Sequence, residues 1–129
     1  MVEYQENPPL DNRRLNELFA ASWQGHGERD FQPVLARSLG YVAAFEAKRL
    51  IGFVNVAWDG GQHAFLLDTT VYPDFQRRGV GTRLVEQAAE LARRGGAVWL
   101  HVDFERPLAR FYCEACRFAT TAAGLMKLG

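Results

Sequence analysis

Between Val71 and Thr82 the chain reads Val-Tyr-Pro-Asp-Phe-Gln-Arg-Arg-Gly-Val-Gly-Thr, a strand end, an arginine-rich loop and two glycines that open a helix. The helix is predicted from about Gly79 to Arg94, because Val80, Leu84, Val85, Ala88, Leu91 and Ala92 form one apolar stripe at helical spacing. Gly95-Gly96 stops it, and Ala97–Val102 reads as a buried strand. Strand, helix and strand in this order demand a right-handed parallel crossover. Any fold for this chain must contain that unit.

The segment before it reads as a meander. Tyr41–Phe45 is short and apolar, and Glu46-Ala47-Lys48 turns it into Arg49–Trp58, rich in β-branched and aromatic residues. Asp59-Gly60-Gly61 is a hairpin signal, so His63–Val71 should pair antiparallel with the strand before it. Upstream, Asp11 or Asn12 caps a helix through Leu15, Leu18, Phe19 and Trp23. A second short helix is expected from about Asp30, with Pro33 in its first turn, to Gly40. Downstream, a helix opens at Pro107 and carries Leu108, Phe111, Tyr112 and Ala115. Two short strands, Phe118–Thr121 and Leu125–Leu128, are expected to close the chain as a hairpin. The first residues read only as a polar lead. The whole is an α+β domain spanning residues 1–129, with no repeat or linker to divide it.

Composition narrows the functional classes. The chain has 15 basic and 15 acidic side chains, 48% hydrophobic residues and no run near the ~18 apolar residues of a membrane span. Its first residues lack a secretory pattern, so a cytoplasmic location without membrane attachment is the expectation. The zero net charge conceals a split: residues 1–75 carry six basic and ten acidic side chains, residues 76–129 nine and five. A nucleic-acid binder needs clustered cations with exposed aromatics. Here Arg77, Arg78 and Arg83 gather at the glycine loop, so no nucleic-acid partner is expected.

That loop suits a phosphate. A helix start leaves N–H groups unpaired and carries partial positive charge, and glycines let an anion come close to the backbone. No Gly-Lys-Ser/Thr run is present for a P-loop, and Leu84 stands where a dinucleotide fingerprint needs its third glycine.

From Leu50 to about Leu128 the chain resembles the GNAT family of N-acetyltransferases. Gln76-Arg77-Arg78-Gly79-Val80-Gly81 matches the family's Q/R-x-x-G-x-G/A acyl-CoA motif, Val71-x-Pro73 precedes it, and Phe111-Tyr112 lies on a downstream helix. The resemblance implies a mixed sheet splayed open at its centre and flanked by about four helices, with acetyl-CoA as cosubstrate in the opening. It implies that Gln76, Arg77, Arg78, Gly79, Val80, Gly81 and Thr82 form the cofactor site, the backbone amides from Arg77 to Thr82 holding the pyrophosphate. It implies further that the Val71 main chain bonds the pantetheine arm or acetyl carbonyl, and that Tyr112 protonates the departing thiolate. The chemistry is consistent: amine attack on a thioester builds an oxyanion that a fixed N–H stabilises by about 2.7–4 kcal/mol. A general acid contributes roughly 10²–10⁴-fold. The chain departs from the family pattern at Glu105, where an asparagine is common, and at Cys116-Arg117, where the helix should end differently.

Other residues admit two readings each. Asp68 is either a proton acceptor for the attacking ammonium or an acid on a solvated face; period-2 alternation puts it on one face with Thr70, and Thr69 with Val71 on the other. Asp103 is a second base candidate or a turn cap. Tyr112 is catalytic or simply packed. Trp23, His26, Glu28 and Phe31 touch substrate or belong to a polar loop, and His63 and His101 are structural. Cys113-x-x-Cys116 lacks a second ligand pair, so no metal is expected. The acceptor is a primary amine of unassigned identity, attacked directly without a covalent enzyme intermediate. The alternatives are a non-catalytic acyl-CoA-binding module and the nucleic-acid binder. The terminal strands offer edges through which a homodimer would pair.

Overall fold

The computed structural model describes residues 1–129. A five-stranded sheet runs in the order β1 (Val2–Glu6), β2 (Gly40–Glu46), β3 (Arg49–Trp58), β4 (His63–Val71), β5 (Trp99–Val102). The first four strands are antiparallel neighbours, and β5 joins β4 in parallel. The hairpin reading of Arg49–Trp58 and His63–Val71 holds at both strand boundaries. At the turn before it, Ala47 and Lys48 both take positive φ, which lets two residues reverse the chain.

Helices cover both faces. On one side, α1 (Asn12–Ser22) and α2 (Gln32–Arg37) lie over a core of Leu15, Leu18, Phe19, Phe31, Phe45 and Phe53. Asp11 caps α1, its carboxylate accepting from the Arg14 amide at 2.9 Å. On the other side, α3 (Val80–Arg94) buries all six residues of its predicted stripe against Val42, Ile51, Val54, Val56 and Leu66. It lies close to the sheet because residue 52 is glycine: a Cβ there would stand 3.0 Å from Leu84 and 3.2 Å from the Ala44 methyl.

β4 and β5 share only a short ladder. It runs from His63↔Trp99 to Leu66↔Val102 and stops, so Leu67–Val71 has no neighbour on that side. This is the splay. At the same point a bulge interrupts β4: Phe53 faces Thr70 while Asn55 faces Leu67, which leaves one residue of β4 extra. Asp68 adopts φ +58°, the left-handed region that aspartate tolerates better than most residues.

Three expectations are corrected. The polar lead is a strand, with Val2 to Glu6 paired to Glu46 to Val42; its acidic, polar residues suit a sheet edge and give little apolar signal. The fourth helix is a 3₁₀ turn, Arg106–Leu108, followed by a π-helical segment, Arg110–Ala115. The terminal hairpin is absent: residues 117–129 form neither strand, and Leu125, Met126 and Leu128 are 88%, 80% and 91% exposed. Those strands therefore provide no edge for a homodimer. Thr69 and Val71 share the face toward Tyr112 and α3, as alternation within these residues predicts, and the extra residue shifts the faces only relative to the start of β4. Leu66 packs on the α3 side, whereas Thr70 accepts a hydrogen bond from Trp23 at the end of α1.

Candidate active site

The splay opens onto a cavity of about 550 Å³. Its floor is Thr69, Thr70 and Val71, one wall is the start of α3, and the other is Pro107, Leu108, Phe111 and Tyr112. Ser22 and Trp23 close it from α1.

The α3 start is built for an anion. Gly79 precedes the helix at φ +80°, a conformation that strains any residue with a Cβ. The first intrahelical bond runs from Arg83 N–H to the Gly79 oxygen at 3.1 Å, so the amides of Val80, Gly81 and Thr82 have no helical acceptor. Arg77, itself at φ +62°, lines the cavity with Gln76, Gly79, Gly81 and Thr82. Arg78 and Arg83 do not line it: their guanidinium groups lie over the rings of Phe75 and Tyr4, at 5.2 and 5.6 Å. The Val80 side chain is buried in the core, which leaves only its backbone for the site. Gly81 is required for packing as well, since a Cβ there would stand 3.1 Å from the Phe111 ring.

Val71 presents its main chain to the opening. The Tyr72 N–H donates to the Ile51 oxygen at 2.8 Å, which makes Gly52↔Val71 a non-hydrogen-bonded pair. The Val71 N–H and C=O therefore point away from β3, toward the side that β5 has left. The carbonyl is already engaged: Gln76 Nε2 donates to it at 3.0 Å and Ser22 Oγ at 3.3 Å. Gln76 thus acts on the site through Val71.

Tyr112 sits at the far wall in the π-helical segment, where the Cys116 N–H reaches back five residues to the Phe111 oxygen at 2.9 Å. Its ring stacks on Phe104 at 5.1 Å and meets Phe111 and Phe118 edge-on at 4.8 and 6.0 Å. Only 7% of the residue is exposed. Burial raises the phenol above its ordinary pKa, with the Thr69 side chain pulling the other way. Tyr112 is both packed and presented to the cavity, so the two readings of it are not alternatives.

A second cavity, about 240 Å³, lies on the other side of Tyr112. Trp23, Thr69, Leu108 and Tyr112 line both spaces. Asp68, Asp103 and Glu105 all line the second one. The splay brings Asp68 together with Asp103, Glu105 and Tyr112, which come from a segment far later in the sequence.

Other candidates lie elsewhere. His26 Nε2 is 2.8 Å from Asn16 Oδ1, and that same oxygen accepts the Arg29 N–H at 2.9 Å. His26 thereby ties the loop to α1. Phe31 is buried in the α1 core beneath the Arg29 guanidinium, and Glu28 is exposed and lines neither cavity. His63 and His101 approach to 2.7 Å across β4 and β5, at the start of β4 remote from the splay. Cys113 and Cys116 are free thiols; burial, helped by the Glu86 charge, pushes Cys116 up to about 11.

Sequence reasoning missed Ser22, Thr69 and Thr70 as site residues. Ser22 ends a helix as many serines do, and the threonines read only as strand residues, because the point where β5 leaves β4 and exposes them is not encoded locally.

Residues 10–118 match the acetyltransferase (GNAT) family. The mycothiol acetyltransferase of Mycolicibacterium vanbaalenii is 26% identical over 110 residues, which cover 81% of this chain and 36% of that relative. The chain thus spans little more than a third of the length of the relative it matches. Among solved structures, a GNAT-family acetyltransferase from Streptococcus pneumoniae superposes with a TM-score of 0.84 at 20% identity, covering 100% of this chain and 98% of the other. The structure of AAC(6')-Iy in complex with a CoA-S-monomethyl-acetylneamine bisubstrate analogue gives 0.76 at 18% identity, covering 100% and 98%. A splayed mixed sheet, a glycine-opened helix facing the splay and a family match across most of its length agree: the chain belongs to the GNAT family of acetyltransferases.

Proposed function

We infer that the protein transfers an acetyl group from acetyl-CoA to a primary amine. The carrying observation is that Gly81 and Thr82 with their free helix-start amides, Val71 with its outward-facing main chain, and Tyr112 all line the one cavity at the splay. Acetyl-CoA supplies an acetyl group activated as a thioester. Its pyrophosphate suits the amides of Gly81 and Thr82 with the Arg77 charge beside them, at a helix start that already favours anions. The bisubstrate analogue bound by the structurally similar AAC(6')-Iy, a CoA linked to an amine compound, supports placing both substrates in one splay.

The chain's own groups then divide the work. Val71 N–H is placed to steady the acetyl or pantetheine end. Asp68, at the bulge, accepts the proton that the ammonium must lose before its nitrogen can attack, directly or through a water. Tyr112 gives a proton to the sulfur as the carbon–sulfur bond breaks. Its raised pKa keeps it protonated across the neutral range, as a donor must be. The second N–H proton, shed as the tetrahedral adduct collapses to the amide, restores the phenol directly or through water. Asp68 returns its proton to solvent, so the net reaction converts ammonium and thioester to amide, thiol and one released proton.

Calorimetry with acetyl-CoA on the wild type and Gly81→Glu tests the cofactor half of this reading. Binding by the wild type and its loss in the variant is the expected result; no binding, or equal binding, sinks it. An amine panel followed by free-thiol release tests the transfer half. The acyl-CoA-binding alternative predicts that Tyr112→Phe changes nothing.

A further inference from the structure

Resting on the acetyl-transfer reading, we propose that the smaller cavity beside Tyr112 receives the acceptor, and that the acceptor is a small amine with a second positive charge separated from the first by an apolar body. Three observations carry this. The cavity holds three carboxylates, Asp68, Asp103 and Glu105, and no lysine or arginine lines it. Its walls are aromatic and aliphatic: Trp23, Phe104 and Tyr112 face it together with Leu67 and Leu108. And it meets the larger cavity at Tyr112 and Thr69, where the reacting carbon must lie between the two.

One acid is sufficient for the reacting ammonium, and Asp68 sits at the bulge next to the shared Thr69. Asp103 and Glu105 follow the end of β5, at the outer part of the cavity, and both are exposed. They remain for a second cation. Aromatic faces attract ammonium groups as well as apolar carbon. A monoamine with a single ammonium leaves two carboxylates unanswered; an acidic substrate meets repulsion from all three. At about 240 Å³ the space suits a small molecule rather than a folded surface. The sign is opposite to that of the Arg77 side, so the two substrates are sorted by charge before any contact forms.

The test compares diaminopentane with aminopentane, which have the same carbon chain and differ in one ammonium. Binding of each to the wild type and to an Asp103→Asn/Glu105→Gln variant is followed by calorimetry without acetyl-CoA. The wild type should bind the diamine roughly fivefold more tightly, the scale of two exposed ion pairs, and the variant should bind the two amines alike. Equal wild-type affinities, or a diamine preference that survives in the variant, would overturn the proposal. Acetyl-CoA binding, measured on the same samples, should be unchanged by these two substitutions. If it is absent from the wild type while the diamine preference is present, the transfer reading fails and the cation pocket stands. If acetyl-CoA binds and the preference is missing, only the pocket falls. The kcat/KM ratio of the two amines then gives a second readout, expected to fall toward one in the variant.

Discussion

The side-chain amide of Gln76 donates to the main-chain oxygen of Val71 at 3.0 Å, tying the first residue of the glycine loop to the last residue of β4. The bond joins the two parts of the proposed cofactor site that the chain must bring together. It also fills the Val71 acceptor, so that only its N–H is left to a ligand.

Gln76→Ala should therefore weaken acetyl-CoA binding by about three- to tenfold. The loss corresponds to one hydrogen bond, about 1 kcal/mol, partly offset because Ser22 still reaches the same oxygen. Calorimetry on the variant measures it; an affinity equal to wild type would mean that the Gln76 bond plays no part in positioning Val71.

Gly81 separates packing from charge. In Gly81→Ala the new methyl meets the edge of the Phe111 ring at 3.1–3.2 Å, so the ring must yield by a few tenths of an ångström. A cost of about 1 kcal/mol in stability is expected, visible as a lowered urea midpoint, with acetyl-CoA still bound. In Gly81→Glu a carboxylate enters the cradle and binding should be lost altogether.

Tyr112 gives a pH signature. Its folded pKa lies above 10, and a general acid works only while protonated. Transfer rate should thus hold through neutral pH and fall as pH rises past that raised value. Tyr112→Phe should lower kcat by roughly 10²-fold or more, leave acetyl-CoA affinity close to wild type, and remove the alkaline limb. A limb that persists in the variant assigns it to another group.

Cys116 should resist alkylation. With a pKa of about 11, it is ionised to only about one part in a thousand at pH 8. Iodoacetamide should modify it on the order of a hundredfold more slowly than an ordinary thiol, as peptide mapping over a time course would show. Reaction at the ordinary rate would place the thiol outside its apolar surroundings.

Much of this architecture was legible because it rests on local rules. The α3 stripe, the Asp59-Gly60-Gly61 turn and the Gly79 helix start are each encoded within a few residues. Their periodicity and backbone freedom survive in any context. Three regions were not legible. The Val2–Glu6 strand has too little apolar content to announce itself, and exists because β2 offers it an edge. The Phe118–Thr121 and Leu125–Leu128 segments have strand-like residues, but pairing is a property of two chains of atoms, and no partner strand lies beside them.

The bulge at Asp68 is the clearest case. Strict alternation would keep Leu66 and Thr70 on one face, yet one extra residue in the ladder leaves Leu66 packed toward α3 and turns Thr70 toward Trp23. Asp68 and Thr69 line the acid cavity beside Tyr112.

By itself, then, the sequence determined that a strand, an anion-binding helix start and a crossover helix occur in that order, since hydrophobic period and glycine placement are local. Only the tertiary structure decided which side chains face one another across the splay. That choice depends on where β5 leaves β4 and on a one-residue slip in register, and both are set by packing between segments distant in sequence.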